Sequence, residues 1–449
     1  MRRRQFLHLA ATAAALPWYA GARAESTGPL TALVGGLLID GSGSDPVEDS
    51  VILLEGDRIS AVGTIASLPV PAGAERVALA GLSVLPGLWD MNVHLSRLGH
   101  AHTGHWDENY LPLAERVVMP LAMADLVRAG VTSVRDIASP LVASLAMRRR
   151  VAEGYAVGPG VYVGGPALAA YADAAARPYQ LPVSGVADAR SRTAELVRDG
   201  VDFVVVREPY SMDAAELAAI VAAAHAAQTG VHALVVHDLD LAPALAAGVD
   251  GLIGIGDGTG PWPEPAQAAL RERMATGKPL VVAATMSPLV NYAWLARNHA
   301  PLDDPRAHEG WPEVVATDVR GSLDDAEALA STYPNVQARR DAYRERVALL
   351  LGAGVLLVAG SGAGEAAHLP ARATWQEVEA LVREAGLTPL EAIRRATYWP
   401  AVACGVPHES GTIMAGKYAD LLAVRGDVAR DIDRLADVEI VYRHGRRVR

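Results

Sequence analysis

From Val131 onward the chain alternates short runs of β-branched and other apolar residues with Ala-rich stretches of helical composition. This is the pattern of repeated βα units, in which a strand buried on both faces is followed by a helix that covers it. The runs predict strands at Leu82–Leu88, Val131–Asp136, Gly160–Val163, Phe203–Arg207, His232–His237, Gly251–Ile255, Leu280–Ala284 and Val355–Ala359. Eight parallel strands close a (β/α)8 TIM barrel, whose functional side chains sit at the strands' C-terminal ends. Outside this region, Leu30–Ala80 and Gly411–Arg449 are strand-rich and carry turn signals at Glu55-Gly56-Asp57 and His444-Gly445. They are expected to pair into a small β-sandwich built from both chain ends. The predicted division of this α/β chain is therefore 1–24 as a leader, 25–81 and 401–449 as the composite β-sandwich, and 82–400 as the barrel. Residues 287–340 form a long connection rich in Pro, Asp and Trp, which reads as a lid or binding loop, or as a disordered or oligomer-contact insertion.

Composition changes the picture in two ways. With 449 residues, 51% of them hydrophobic, the chain can bury a large core and is not a disordered protein. The formal charge is −11, and the leader carries Arg2, Arg3, Arg4 and Arg23 with no acidic residue, so its removal leaves −15. Such a surface repels nucleic acid and anionic membranes, and neither is expected as a partner. A small molecule is the expected partner, with self-association left open.

The leader itself combines an arginine-rich head, a modest apolar run and Ala22-Arg23-Ala24, an A-x-A cleavage pattern. Arg3-Arg4-Gln5-Phe6-Leu7 looks like a twin-arginine export signal, which predicts a periplasmic or secreted protein with no membrane contact after cleavage. Cys404 is the single cysteine, so no intrachain disulfide can form.

Pro86-Gly87-Leu88-Trp89-Asp90-Met91-Asn92-Val93-His94 stands where amidohydrolases carry P-G-L-x-D-x-H-x-H. Further matches are Gly130-Val131-Thr132-Ser133-Val134-Arg135-Asp136, Gly248-Val249-Asp250, Leu387-Thr388-Pro389-Leu390-Glu391-Ala392 and Gly416-Lys417-Tyr418-Ala419-Asp420. The chain resembles the imidazolonepropionase and Xaa-Pro dipeptidase-like branch of the amidohydrolase superfamily. That resemblance implies two divalent ions held by two His after the first strand, a carboxylated Lys on the fourth, a His on each of the fifth and sixth, and an Asp on the eighth. The ions would acidify a bridging water while the Asp takes its proton.

This sequence keeps two of the six, His94 and His237, and the other positions fall on Asn92, Val205, Gly254 and Gly362. Counting makes the losses independent of register. Lys278 and Lys417 are the only lysines, no His lies between His237 and His299, and no Asp lies between Asp341 and Asp420. Val and Gly offer no donor atom, and tight binding of a borderline metal needs about four good ligands. The expectation is therefore no cofactor, with the divalent pair lost and His94 and His237 as remnant ligands and candidate catalytic residues. Each is equally readable as a hydrogen-bonded packing residue.

Two other features carry chemistry. His100, His102 and His105 follow His94 in one loop, a tract that reads either as an alternative metal cluster or as solvated loop histidines. Arg207, two residues past the lysine position, shares its inward face and would place a positive charge near the lost metals. Its ordinary reading is an ion pair with Glu208 or Asp136. His368 resembles the His that contacts substrate after the eighth strand in relatives, so Asn92, Arg207, Tyr210 and His368 are the expected substrate-binding residues, with Asp238 and Glu365 as nearby polar candidates. The expected function is a small amide-like or cyclic ligand bound, or transformed without metal, in the cleft. The alternative is an active hydrolase of amide or cyclic amide bonds with a rebuilt metal site. The residues do not support the two-metal mechanism and leave open whether the chain is an enzyme.

Overall fold

The computed structural model describes residues 30–172, 176, 178–295 and 304–449; the leader expected at 1–24 lies outside them. Both chain ends combine in one hydrogen-bonded sheet of eight strands: β1 (Leu30–Leu38), β2 (Val47–Glu55), β3 (Arg58–Thr64), β4 (Glu75–Ala78) and β5 (Leu82–Pro86) from the start, and three from the end. Leu33, Ile52, Leu54, Val84, Leu421 and Tyr442 fill one face, and Ala32, Val51 and Leu53 the other. The two ends share one ladder, because β5 runs parallel to β1 on one side and antiparallel to Leu421–Arg425 on the other, making it continuous.

The run Leu82–Leu88, expected as the first barrel strand, is divided. Leu82–Pro86 belongs to the outer sheet, and β6 (Leu88–Val93) opens the parallel region. Gly87 makes the crossing: its N–H donates to the Asp420 carbonyl at 2.8 Å, and a Cβ there would lie 2.2 Å from the Thr132 hydroxyl. Every residue of the run is apolar or small, so periodicity alone could not cut it.

The parallel strands that follow are β7 (Val131–Asp136), β8 (Gly160–Val163), β9 (Ala167–Ala169), β10 (Gln180–Pro182), β11 (Phe203–Arg207), β12 (Gly230–Leu234), β13 (Gly251–Ile253), β14 (Val281–Ala283) and β15 (Leu356–Val358); β16 (Leu421–Arg425), β17 (Val438–Arg443) and β18 (Arg446–Arg447) return to the outer sheet. They form two ladders, β6-β7-β8 and β10-β9-β11-β12-β13-β14-β15. At one junction Met91 N–H donates to Ala359 O at 3.0 Å and His94 N–H to Ala363 O at 2.7 Å; at the other Asp202 N–H donates to Val163 O at 2.8 Å. Asp90, fully buried, reinforces the first junction by accepting from the Ser361 N–H, the Ser361 and Thr374 hydroxyls and the Asn92 N–H.

Inward side chains fill the space between the strands: Trp89, Met91, Val281 and Val358 on one side, Phe203, Val205 and Ile253 on the other. The segment expected as a lid or loop is largely helical, with helices at Ser287–Leu295, Glu313–Ser322, Ala326–Thr332 and Val336–Ala353. Val315, Val319, Leu329 and Tyr333 are buried in it, and the Trp311 indole N–H donates to Asp125 at 2.8 Å, fixing the insertion to the helix Met119–Arg128. Among the described residues no helix is long and apolar enough to cross a membrane.

Candidate functional site

A cleft of about 660 Å³ opens at the C-terminal ends of the parallel strands. Asn92 and His94 from β6 and its exit, Arg207 from the end of β11, and Gly254 and Gly362 from the turns after β13 and β15 contribute to its lining. The helical insertion adds Tyr333, Arg339 and Tyr343 as a further wall.

The polar centre of this cleft is a connected network. His94 Nε2 lies 3.1 Å from Glu365 Oε1, and Arg97 Nη1 stands 3.8 Å from the same oxygen. Arg97 Nη2 reaches Asp107 Oδ2 at 3.6 Å, and its guanidinium carbon lies 4.6 Å from the centre of the Tyr179 ring. The Tyr179 hydroxyl in turn donates to Asp107 Oδ1 at 2.6 Å. Burial, the largest influence, pushes the Glu365 carboxyl up, but His94, Arg97, Arg207 and His368 together outweigh it and hold the group below its ordinary value. Burial also acts against the Arg97 charge, and Glu365, Tyr179 and Asp107 reverse it.

The turn that presents Glu365 depends on Gly364, whose φ of +99° favours glycine and where a Cβ would lie 2.3 Å from the His94 carbonyl. Arg207 bonds to Glu208 Oε1 at 3.1 Å, the ordinary pairing, while still facing the cleft. Its other anticipated partner, Asp136, instead accepts from the Leu95 N–H and the Ser144 hydroxyl.

The structure brings Asn92, His94 and Arg207 to the cleft and leaves Tyr210, His237 and His368 outside its lining. Strand β12 stops at Leu234, and the backbone then turns so that Asp240 accepts the Val236 and His237 N–H groups. This aims His237 at Asp257, 2.8 Å from Nδ1. Tyr210, 44% exposed, packs edge-on to the His237 ring. His368 is buried behind the Glu365 turn, with Nε2 3.2 Å from the Asn291 amide nitrogen. Asp238, a polar candidate from the sequence, is the partner of the buried Arg346.

His368 yields a pH prediction. Burial pushes its ring down to about 4 from the usual 6.5. A base whose folded value is depressed contributes stability that is present above pH 6.5 and lost as the pH falls toward 4. The stability difference between wild type and His368→Gln should therefore shrink by about 3 kcal/mol across that window in urea titrations. A difference that stays constant with pH would contradict the buried neutral ring.

Three of the ligand positions implied by the resemblance carry no donor atom. Val205 is fully buried among the interior apolar side chains, and Gly254 and Gly362 line the cleft without a donor atom. Asn92 Nδ2 donates to the Thr285 hydroxyl at 3.1 Å, and its buried Oδ1 has no hydrogen-bond partner among the described residues. The ligand-type side chains that come together as a set of three among the described residues are His100, His105 and Asp318, which stand outside the cleft. His102 pairs instead with Asp325 at 3.1 Å.

Residues the sequence did not single out for the cleft are Arg97, Asp107, Tyr179 and Arg339. Arg97 lies three positions past His94, which was a usable signal; the others come from distant segments with no motif.

A cleft framed by the C-terminal ends of parallel strands, beside a separate β domain, defines an α/β scaffold of the kind that carries its chemistry on βα loops. The chain belongs to the amidohydrolase family, whose pattern matches residues 83–252 and 314–448. Among solved structures it is similar to a prolidase complexed with N-methylphosphonate-L-proline, at 23% identity and a TM-score of 0.70, covering 93% of this chain and 99% of that one. A Xaa-Pro dipeptidase with methionine bound in its active site is 20% identical, with a TM-score of 0.68 and coverages of 93% and 99%. Molinate hydrolase is 22% identical, with a TM-score of 0.70 and coverages of 94% and 94%. No curated protein matches. At these identities the likeness is one of fold, and it implies a TIM barrel with a separate β domain.

Proposed function

We propose that this chain is an exported member of the imidazolonepropionase and Xaa-Pro dipeptidase-like branch whose barrel holds a small carboxylate- or carbonyl-bearing amide without the divalent pair. The carrying observation is the charge arrangement of the cleft. Arg97, Arg207 and His94 converge on Glu365, while the positions of the implied metal ligands carry Asn92, Val205, Gly254 and Gly362. The residues present do not fit two divalent ions: His94 is engaged by Glu365, His237 faces Asp257, and the remaining positions lack donors of the required kind. No step is derived through such ions.

In this reading Arg97 and Arg207 supply the charge that recognises a ligand carboxylate or polarises a carbonyl, and the His94–Glu365 pair holds a proton acceptor beside it. The leader would deliver the folded protein to the periplasm or beyond.

The test is a calorimetric screen of small N-acyl amino acids and cyclic amides against the full chain. Saturable binding is expected, weakened roughly tenfold or more by His94→Ala, since a hydrogen bond to a charged group is worth about 1.5–3 kcal/mol. His237→Ala, whose side chain lies outside the cleft lining, should leave it unchanged. Binding that depends on His237 and is indifferent to His94 would sink the reading.

A further inference from the structure

A second pocket lies on the far side of the short helix Thr103–Asn109, between it and the inserted helix Glu313–Ser322. We propose that His100, His105 and Asp318 in this pocket form a mononuclear site for a zinc-like transition metal that staples the insertion to the wall of the cleft. The donor set is two imidazoles and one carboxylate, the borderline chemistry that such ions select.

The geometry is close to that of a loaded site. His105 Nε2 lies 3.0 Å from Asp318 Oδ2, His100 Nε2 lies 3.8 Å from Oδ1, and one ligand atom from each residue falls within 4.8 Å of the others. An ion held at ~2 Å from each donor needs donors roughly 3–4 Å apart. The two imidazole rings are nearly parallel, with centroids 5.1 Å apart.

Outer groups hold the ligands in place. His100 Nδ1 accepts from the His102 N–H at 3.0 Å and lies 3.1 Å from the His102 carbonyl oxygen, so this backbone fixes the ring, and an ion at Nε2 would move the ring proton to Nδ1, facing that carbonyl. The Tyr110 hydroxyl donates to Asp318 Oδ2 at 2.8 Å, and Tyr110 is held by stacking on the buried Trp106. Charge states agree. Burial keeps the His100 ring below its ordinary value and hence neutral near pH 7. Burial pushes the Asp318 carboxyl up, but hydrogen bonds from His105 and Tyr110, with the neighbouring imidazoles, outweigh it and hold the group below its ordinary value. His100 is buried, whereas His105 and Asp318 are partly exposed, so an ion can enter and keep a water in its remaining position.

The consequence reaches the cleft through one helix. Thr103, Gly104 and Asp107 line the cleft from the same short helix whose His105 faces the second pocket. Asp107 holds both Tyr179 and Arg97. An ion bridging His105 to Asp318 therefore fixes the element that positions the cleft's own charge network.

The experiment uses full-length protein stripped with a chelator and titrated with Co²⁺, whose visible absorption reports its coordination, and with Zn²⁺ by calorimetry. One equivalent is expected, with a rise of about 3 °C in melting temperature at a hundredfold excess over Kd. His105→Asn and Asp318→Asn should each weaken binding at least 30-fold, whereas His94→Ala and His237→Ala should not change it. His105 is partly exposed, so its replacement does not threaten the fold. Absence of binding below millimolar metal, or one equivalent that survives His105→Asn, overturns the proposal. Metal lost in His94→Ala and retained in His105→Asn would overturn it and also contradict the metal-free reading of the cleft.

Discussion

Asp238→Ala should destabilise the fold by about 3–5 kcal/mol, because it strands a buried cation. The Arg346 side chain is 1% exposed and makes a two-pronged contact with Asp238, Nη1 to Oδ1 at 2.6 Å and Nη2 to Oδ2 at 2.8 Å. Its remaining donors go to the Gly260 and Ile255 carbonyls, which are neutral and cannot balance the charge. The pair joins three elements: the turn after β12, the loop after β13 and the helix Val336–Ala353. Gly256 and Gly258 are part of the design, since a Cβ at either would lie 2.1 or 2.2 Å from the Asp238 carboxylate oxygens. Chemical denaturation measures the effect. A loss below about 1 kcal/mol would place the pair among weak surface bridges instead.

The second large effect concerns ligand affinity. Arg97→Met should lower affinity for a carboxylate-bearing ligand roughly a hundredfold, in line with the 2–5 kcal/mol that follows truncation of a desolvated charge at an interface. Arg97 is the stronger choice than Arg207, because Arg207 already spends its Nε on Glu208, whereas Arg97 stands at longer range from both Glu365 and Asp107. Arg97→Lys should recover part of the loss, since it keeps the charge and gives up the planar fork. Calorimetry reads both. Equal affinity in wild type and Arg97→Met would remove Arg97 from recognition.

Much of the architecture was legible because each βα unit writes its own local signal, an apolar run followed by an Ala-rich helix. The run Leu82–Leu88 was not, since the change of sheet at Gly87 depends on contact with Thr132 and Asp420, which no local pattern encodes. At the site, periodicity put Arg207 on the inward face two residues past the buried Val205, and the side chain is among those lining the cleft. It could not say that β12 ends three residues before His237, or that the turn at Gly364 brings Glu365 forward and hides His368. Those outcomes are set by loop geometry. The histidine tract stood out in the sequence, but its carboxylate partner Asp318 is 213 residues from His105 and becomes visible only when the insertion packs.

The most direct test of the metal-free cleft uses the His100→Asn/His105→Asn double variant, in which the second pocket can no longer contribute an ion. This variant, treated with a chelator, is titrated calorimetrically with an N-acyl amino acid found to bind wild type, with and without two equivalents of Zn²⁺. Saturable one-to-one binding that the added zinc leaves unchanged is expected. Binding that appears only after zinc is added, and that His94→Ala abolishes together with zinc retention, would mean that a metal centre still assembles in the cleft.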